Sequence, residues 1–120
     1  MYSFEKLDVW QKARSFVNEI YKTTKKYPEK EKFVLGAHTC KSAISILSNI
    51  AEGTSRTGSS DAKRFIEIAL GSVYETVAQL YIAVDNGYIT QKEFEKLYES
   101  SGHVSRMLSG LSRFHKTPKP

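Results

Sequence analysis

Few residues in this chain are of types that could do chemistry, and their spacing argues against catalysis. The 120 residues include one cysteine, Cys40, and three histidines, His38, His103 and His115. On a helix, His38 and Cys40 would point about 200° away from each other, so they cannot share a metal ion. Glu99 and His103 share a helix face, but a di-metal bundle needs Glu-x-x-His motifs and additional glutamates. We therefore expect no catalytic residue, no metal site and no cofactor.

Motifs that bind nucleotides are also missing from the sequence. There is no P-loop and no dinucleotide fingerprint, and the pair Gly71-Ser72 falls inside a helical pattern rather than after a strand. The aromatic residues Tyr21, Phe65 and Tyr74 lie at helical spacing, whereas single-stranded nucleic-acid modules present aromatic rings on sheets. We expect a protein that is not an enzyme and has no small-molecule substrate.

The charge of the chain favours anionic partners without requiring one. Eighteen basic and thirteen acidic residues give a net charge of +5. Residues 1–27 carry six basic and three acidic side chains, residues 89–120 carry the same numbers, and residues 59–88 carry two and four. The positive excess therefore belongs to the first and last segments. The candidate phosphate contacts there are Lys22, Lys25, Lys26, Arg106 and Arg113, although lysines at a helix end also stabilise the helix dipole.

Breaker residues divide the chain into four segments of helical length. Pro28 closes the first segment, residues 53–60 separate the second from the third, and Asn86-Gly87 ends the third. The pattern predicts an all-α, up-down-up-down four-helix bundle in a single domain, residues 1–120. Its helices are expected at about residues 7–27, 32–55, 60–86 and 90–116. Thr90 and Glu93 fit a capping box at the start of the fourth helix.

The third predicted helix has more apolar surface than one bundle core can cover. Its apolar residues span an arc of roughly 220° on the helical wheel, and the surplus predicts contact with a second copy of the chain. We place Tyr74 and Tyr81 at that contact. Gly71, in the middle of this helix, is costly for helix formation, so we expect another helix to approach it closely. Gly53 is expected to end the second helix in a left-handed conformation.

The second helix has a row of small polar residues opposite its apolar face. Ser45, Ser48, Asn49 and Glu52 lie together there, opposite an apolar arc of roughly 160°. One interpretation is a set of helix-to-helix hydrogen bonds that fix register. The other places Asn49 and Glu52 at a subunit interface, where a buried amide and carboxylate need specified partners.

The sequence also bears on location. Its first residues do not form a signal peptide, and no apolar run approaches the ~20 residues needed to span a bilayer. A single cysteine suits a reducing compartment. We expect a cytoplasmic protein without membrane contact.

Several of these motifs together resemble one protein family across nearly the whole chain. They are Phe4 with Leu7 and Val9-Trp10-Gln11, then the run Ser48-Asn49-Ile50-Ala51-Glu52-Gly53, then Ile68-Ala69-Leu70-Gly71-Ser72, then Gly87-Tyr88. They resemble the small four-helix-bundle proteins encoded in intervening sequences of bacterial 23S ribosomal RNA genes. The resemblance implies a ring-shaped homo-oligomer, a pentamer. The family usually has proline where this chain has Leu47, which predicts a second helix without a kink there.

Two functional hypotheses follow. The first is a homo-oligomeric scaffold that contacts RNA or DNA through the five basic residues named above, without reading bases. This agrees with the resemblance, because a structurally similar accessory protein of diversity-generating retroelements is a basic pentameric barrel that binds nucleic acid and a reverse transcriptase. The second is an oligomeric adaptor that binds a protein partner, such as a nucleic-acid enzyme, and uses its positive charge for solubility.

Overall fold

Four long helices carry the chain back and forth along one axis in the structure, a computed structural model that describes residues 1–114. They are α1 (Asp8–Thr24), α2 (Ala37–Ser55), α3 (Ser59–Asp85) and α4 (Gln91–Phe114). A short 3₁₀ turn at Ser3–Lys6 precedes α1, and the described part of the chain contains no strand. The molecule measures 53 × 24 × 21 Å, so it is a rod whose long axis follows the helices. The predicted all-helical bundle is confirmed, and the expected end of the fourth helix at residue 116 lies outside the described residues.

The four helices occupy the corners of a square. Helix α1 packs against α2 and α4, and α3 packs against the same two helices. The α1/α2 face is therefore opposite the α3/α4 face. Since α1 and α4 are neighbours, the two segments with the positive excess share one side of the bundle.

The core is built from the apolar positions that recur every three or four residues on each helix. All of its principal members are less than 7% exposed. From α1 to α4, they include Ala13, Phe16, Ile20, Ala43, Ile46, Ile50, Ile66, Ala69, Val73, Leu80, Phe94, Leu97, Val104 and Leu108. Complete burial of these side chains is the main stabilising contribution, at roughly 1.5–3 kcal/mol for each large one.

The second helix begins irregularly. After Pro28, one α-helical turn at Glu29–Glu31 leads into a π-helical stretch at Lys32–Gly36 and then directly into α2. Gly36 is buried, and an added Cβ there would lie 3.6 Å from Thr24 and from Tyr27. The wider π turn leaves two apolar side chains outside the bundle, because Phe33 is 81% exposed and Val34 is 56% exposed. From Ala37 to Ser55 the helix is continuous, as expected from Leu47.

The turn between α3 and α4 lies at the same end of the bundle as the end of α1. Gly87 has a φ of 76°, and it is the one residue among those described with a positive φ. The predicted capping box is confirmed: the Thr90 amide donates to Glu93 Oε1 at 2.9 Å, and the Glu93 amide donates to Thr90 Oγ1 at 3.0 Å. Glu93 also pairs with Lys26 of α1. This ion pair and the Thr90 amide hold the pKa of the Glu93 carboxyl below its usual range.

A buried tyrosine at the same end gives a testable pH effect. The hydroxyl of Tyr27 is buried without a hydrogen-bond partner among residues 1–114, and burial, with Cys40 and Glu93 nearby, raises the pKa of Tyr27 to about 12. Below pH 10 both the folded and unfolded chains keep this proton, so ionisation of Tyr27 does not lower the free energy of unfolding there. Between pH 10 and 12 only the unfolded chain loses it, so the free energy of unfolding falls, by about 1 kcal/mol at pH 11.

We expect Tyr27→Phe to be about 1 kcal/mol more stable than the natural chain at pH 8, because it removes an unpaired buried hydroxyl. The advantage should grow at pH 11, since phenylalanine does not titrate. Urea unfolding of both proteins at the two pH values measures this. An advantage of the same size at both pH values would contradict the assignment of the alkaline loss to Tyr27.

Candidate interaction surfaces

One member of the polar row on α2, Ser45, forms an interhelical seam with α3 together with the buried Ser42, whereas Ser48 and Glu52 of the row are exposed. Ser42 Oγ and Thr76 Oγ1 lie 2.7 Å apart, and Ser72 Oγ donates to Ser45 Oγ at 2.9 Å. Asn49 Nδ2 donates to the carbonyl oxygen of Ser45 at 2.8 Å and to its Oγ at 3.0 Å. These bonds satisfy buried hydroxyls and fix the register of the two helices. This part of the row therefore agrees with the first of the two interpretations.

The structure does not bring Asn49 and Glu52 together with the predicted interface tyrosines. Asn49 is half-buried beside the seam, and Glu52 is exposed and pairs with Arg56 at 2.7 Å. Both lie on α2, whereas Tyr74 and Tyr81 face α4 from the other side of α3. Any role of Asn49 and Glu52 between subunits would belong to a different surface.

Gly53 is a close-contact residue inside α2, and its predicted left-handed conformation is wrong. The helix continues through it to Ser55. A Cβ at this position would lie 3.2 Å from the carbonyl oxygen of Ala62, 3.2 Å from Ile66 Cδ1 and 3.3 Å from Phe65 Cβ. The C-terminal end of α2 and the start of α3 can approach this closely because the glycine has no side chain.

Gly53 and Gly71 form a matched pair for mutation. We expect Gly53→Ala to lower the free energy of unfolding by about 1 kcal/mol, since overpacking against a backbone oxygen outweighs the gain in helix propensity. Gly71 is exposed and has nothing within 4 Å of an added Cβ, so Gly71→Ala should raise the same quantity by about 0.5–1 kcal/mol. Urea denaturation of the two variants, at a concentration where each is a single chain, measures both values. Changes of the same sign would contradict the close contact at Gly53.

A groove lined by tyrosines runs between α3 and α4. We call it the tyrosine groove; its volume is about 370 Å³, and it is lined by Val73, Tyr74, Val77, Ala78, Tyr81, Tyr98, Ser101 and Ser105. Tyr74 is 61% exposed, Tyr98 51% and Tyr81 47%. The Tyr81 ring is held in place by Phe94, with the ring centroids 4.7 Å apart. Tyr98 was not predicted, although its position four residues after Phe94 on the same helix face is a usable signal.

The outer surface of α3 continues this apolar region. Ile68 and Ile82 are 42% and 50% exposed. The wide apolar arc of the third helix thus contains side chains that the bundle does not cover. The expected close approach of another helix is found at Ser72, which meets Ser45 of α2 at 2.9 Å, and not at Gly71, which faces outward with none of residues 1–114 within 4 Å of an added Cβ.

The five predicted phosphate contacts lie in two groups rather than in one cluster. Lys22, Lys25 and Lys26 are at the end of α1, where Lys22 lies 3.8 Å from Glu19 and Lys26 pairs with Glu93. Arg113 is at the opposite end of the bundle, twenty residues and so about 30 Å along α4 from Glu93. Arg106 lies between, with its guanidinium nitrogen 3.1 Å from His103 Nδ1.

Between these two groups, the α1/α4 face is of mixed charge. Lys12, Glu19, Ser100 and His103 line a shallow groove there, and His103 also lies 3.9 Å from Glu99. Residues 1–114 hold no group of three histidine, cysteine, aspartate or glutamate side chains placed to bind a metal ion. None of the helices described has a stretch long and apolar enough to span a membrane.

Comparison with known proteins places this arrangement in a family. The model of the family described as "23S rRNA-intervening sequence protein" matches residues 5–110. A crystal structure of a protein of unknown function from the S23 ribosomal protein family of Bacteroides thetaiotaomicron is similar to this chain, with a TM-score of 0.78 and 26% sequence identity. The similarity covers 87% of this chain and 97% of that one. No curated protein matches. The chain belongs to the 23S rRNA-intervening sequence protein family.

Proposed function

We propose that this protein is a non-enzymatic scaffold that assembles from several copies of itself into a ring, a pentamer by the family resemblance, and contacts nucleic acid. The observation that carries the proposal is the tyrosine groove. Exposed apolar surface rimmed by polar residues marks interaction sites on proteins, and the three tyrosines of the groove are each about half exposed or more. Tyrosine is also enriched in protein interfaces, because its ring is apolar and its hydroxyl can hydrogen-bond.

The outer surface of α3 supports the same proposal. Gly71 leaves a gap in side-chain cover between Ile68 and Tyr74, and such a gap lets the backbone of a second chain come near. A glycine in mid-helix costs about 1 kcal/mol relative to alanine, and no contact among residues 1–114 offsets that cost. A second copy seated along α3 would account for it.

Nitration of tyrosine residues by tetranitromethane tests self-association. Tyr2 is 75% exposed on the N-terminal segment and serves as the internal control. In an assembled protein, Tyr74 and Tyr98 should react several-fold more slowly than Tyr2, and dilution should remove the protection. Reaction rates that follow single-chain exposure at all concentrations would reject the scaffold.

The nucleic-acid part of the proposal is supported by the adjacency of α1 and α4. It unites the two positive segments on one side, where Lys22, Lys25, Arg106 and Arg113 are exposed. Assembly would repeat this side and raise its avidity for a long polyanion. The contacts would go to phosphates, so binding should be sequence-indifferent and micromolar.

Electrophoretic mobility at low salt separates this from the adaptor hypothesis. We expect one labelled single-stranded RNA and one unrelated DNA duplex to be retarded at similar protein concentrations. If neither probe is retarded, a protein partner is favoured and the positive charge serves solubility.

A further inference from the structure

A second apolar surface projects from the opposite side of the bundle. We call it the Phe33 patch and define it as Tyr21, Lys25, Lys32, Phe33 and Val34. Four of these residues, all but Val34, line a shallow depression between α1 and the start of the second helix. Phe33 and Val34 are placed outside by the π-helical stretch, and Tyr21 beside them is 40% exposed. The chain thus carries two apolar surfaces. One is the recessed tyrosine groove, and the other is the Phe33 patch, from which the exposed Phe33 ring extends into solvent.

Both surfaces reach the same end of the rod. The end of α1 and the start of α4 meet there through Lys26 and Glu93, and Tyr88 donates a hydrogen bond to Glu31 at 3.1 Å. Tyr81 is four residues, or about 6 Å, from the end of α3 at this same end. Since the α1/α2 face is opposite the α3/α4 face, one copy can place its Phe33 patch against the tyrosine groove of a neighbour by lying beside it.

The charges around the two surfaces are complementary. Residues 22–32 contain five lysines and two glutamates, and two of these lysines, Lys25 and Lys32, belong to the Phe33 patch. Residues 65–91 contain no lysine or arginine. Glu75 precedes the groove residue Ala78 by three positions on α3, and Glu95 precedes Tyr98 by three on α4, so both exposed carboxylates lie on the helix faces that border the groove.

We propose that the Phe33 patch of one copy docks into the tyrosine groove of a second copy, with Lys25 and Lys32 facing Glu75 and Glu95. The proposal rests on the self-association proposed above and names the two surfaces that meet. The groove volume of about 370 Å³ is ample for a phenyl ring, since a cavity of about 150 Å³ holds benzene.

Such a contact joins two different surfaces, so each copy keeps one of each free for the next neighbour. Contacts of this kind generate a ring when the rotation between copies closes. Lys25 then serves the contact between copies, which leaves Lys22, Lys26, Arg106 and Arg113 for nucleic acid. The π-helical stretch would then contribute to assembly, because it leaves Phe33 outside the bundle.

Mixing two single variants tests the proposal. Phe33→Glu removes the protruding surface, Tyr74→Glu blocks the recessed one, and each side chain is exposed enough that the bundle should remain folded by circular dichroism. Each variant alone should be a single chain by light scattering, with the dissociation constant for self-association raised at least about 100-fold. An equimolar mixture should form a dimer of about twice 13.6 kDa, because only one pair of intact surfaces remains.

Other outcomes are equally informative. If Phe33→Glu assembles like the natural chain, the inference is overturned while self-association stands. If both variants are single chains and their mixture is as well, the contact joins identical surfaces and the inference is again overturned. A natural chain that never assembles removes the proposed function itself. As a second measurement, Lys25→Glu with Lys32→Glu should weaken assembly, and mixing with a Glu75→Lys, Glu95→Lys chain should restore it with the two chains alternating, because each patch then meets a groove of opposite charge.

Discussion

Tyr74→Glu should abolish self-association and leave the helical bundle intact. Tyr74 is 61% exposed at the mouth of the tyrosine groove, so the fold loses little when its ring is removed. In an assembly, the new carboxylate would replace an apolar ring where the Phe33 side chain of the neighbour enters the groove, and burying a charge against apolar groups costs several kcal/mol. We expect the dissociation constant for self-association to rise at least about 100-fold. Sedimentation velocity over a dilution series measures it.

The matched control is Thr57→Glu. Thr57 is exposed in the loop between α2 and α3, at the other end of the rod. This variant adds the same charge to the chain, so any general effect of net charge on association appears in it. Loss of assembly in both variants, or in neither, would contradict the assignment of the contact to the tyrosine groove.

Raising the salt concentration from 50 to 200 mM should weaken nucleic-acid binding roughly 150-fold. The estimate assumes four phosphate contacts, one from each of Lys22, Lys26, Arg106 and Arg113. Each contact releases condensed counterions, so the logarithm of the binding constant should fall with a slope of about −3.6 against the logarithm of salt on duplex DNA. Fluorescence anisotropy with a labelled duplex measures this slope.

Neutralising individual contacts sharpens the test. The double variant Lys22→Gln, Arg106→Gln should reduce the slope by about 1.8, since each lost contact removes about 0.9. Lys41→Gln removes an exposed positive charge from α2, outside the α1/α4 side, and should leave the slope unchanged. Affinity that does not change with salt would reject phosphate contact, whatever the variants do.

The periodicity of apolar residues was sufficient to predict the helical bundle. Positions such as Phe16, Ile46 and Leu108 recur at helical spacing because each helix must bury one face, and this signal is local. The capping box at Thr90 and Glu93 was equally readable, because both of its hydrogen bonds join residues three apart.

The features that the sequence did not reveal depend on distant residues. The π-helical stretch at Lys32–Gly36 ends at a buried glycine that packs beside Thr24 and Tyr27, which are nine or more residues earlier in the chain. The helical conformation of Gly53 is set by the close approach of α3, which overrides the tendency of glycine to end helices. No spacing rule could have shown that Lys26 pairs with Glu93, because 67 residues separate them.

The candidate surfaces were predicted only in part, because they too depend on how the helices pack. Wheel arithmetic identified Tyr74 and Tyr81 as surplus apolar residues on the third helix. It did not reveal that Tyr98 completes the groove, since this requires knowing that α4 packs beside α3. The charge count by segment assigned Arg113 and Lys22 to one positive surface, whereas antiparallel packing puts them at opposite ends of the bundle.

Multi-angle light scattering coupled to size exclusion tests self-association most directly. It returns the mass of the particle in solution independently of shape, which matters for a rod of 53 × 24 × 21 Å. We predict the mass of two or more chains of 13.6 kDa, and the mass of five chains for a pentameric ring. A mass of 13.6 kDa at every concentration loaded would mean that Tyr74, Tyr81 and Tyr98 remain in water on a lone chain, and it would contradict the account.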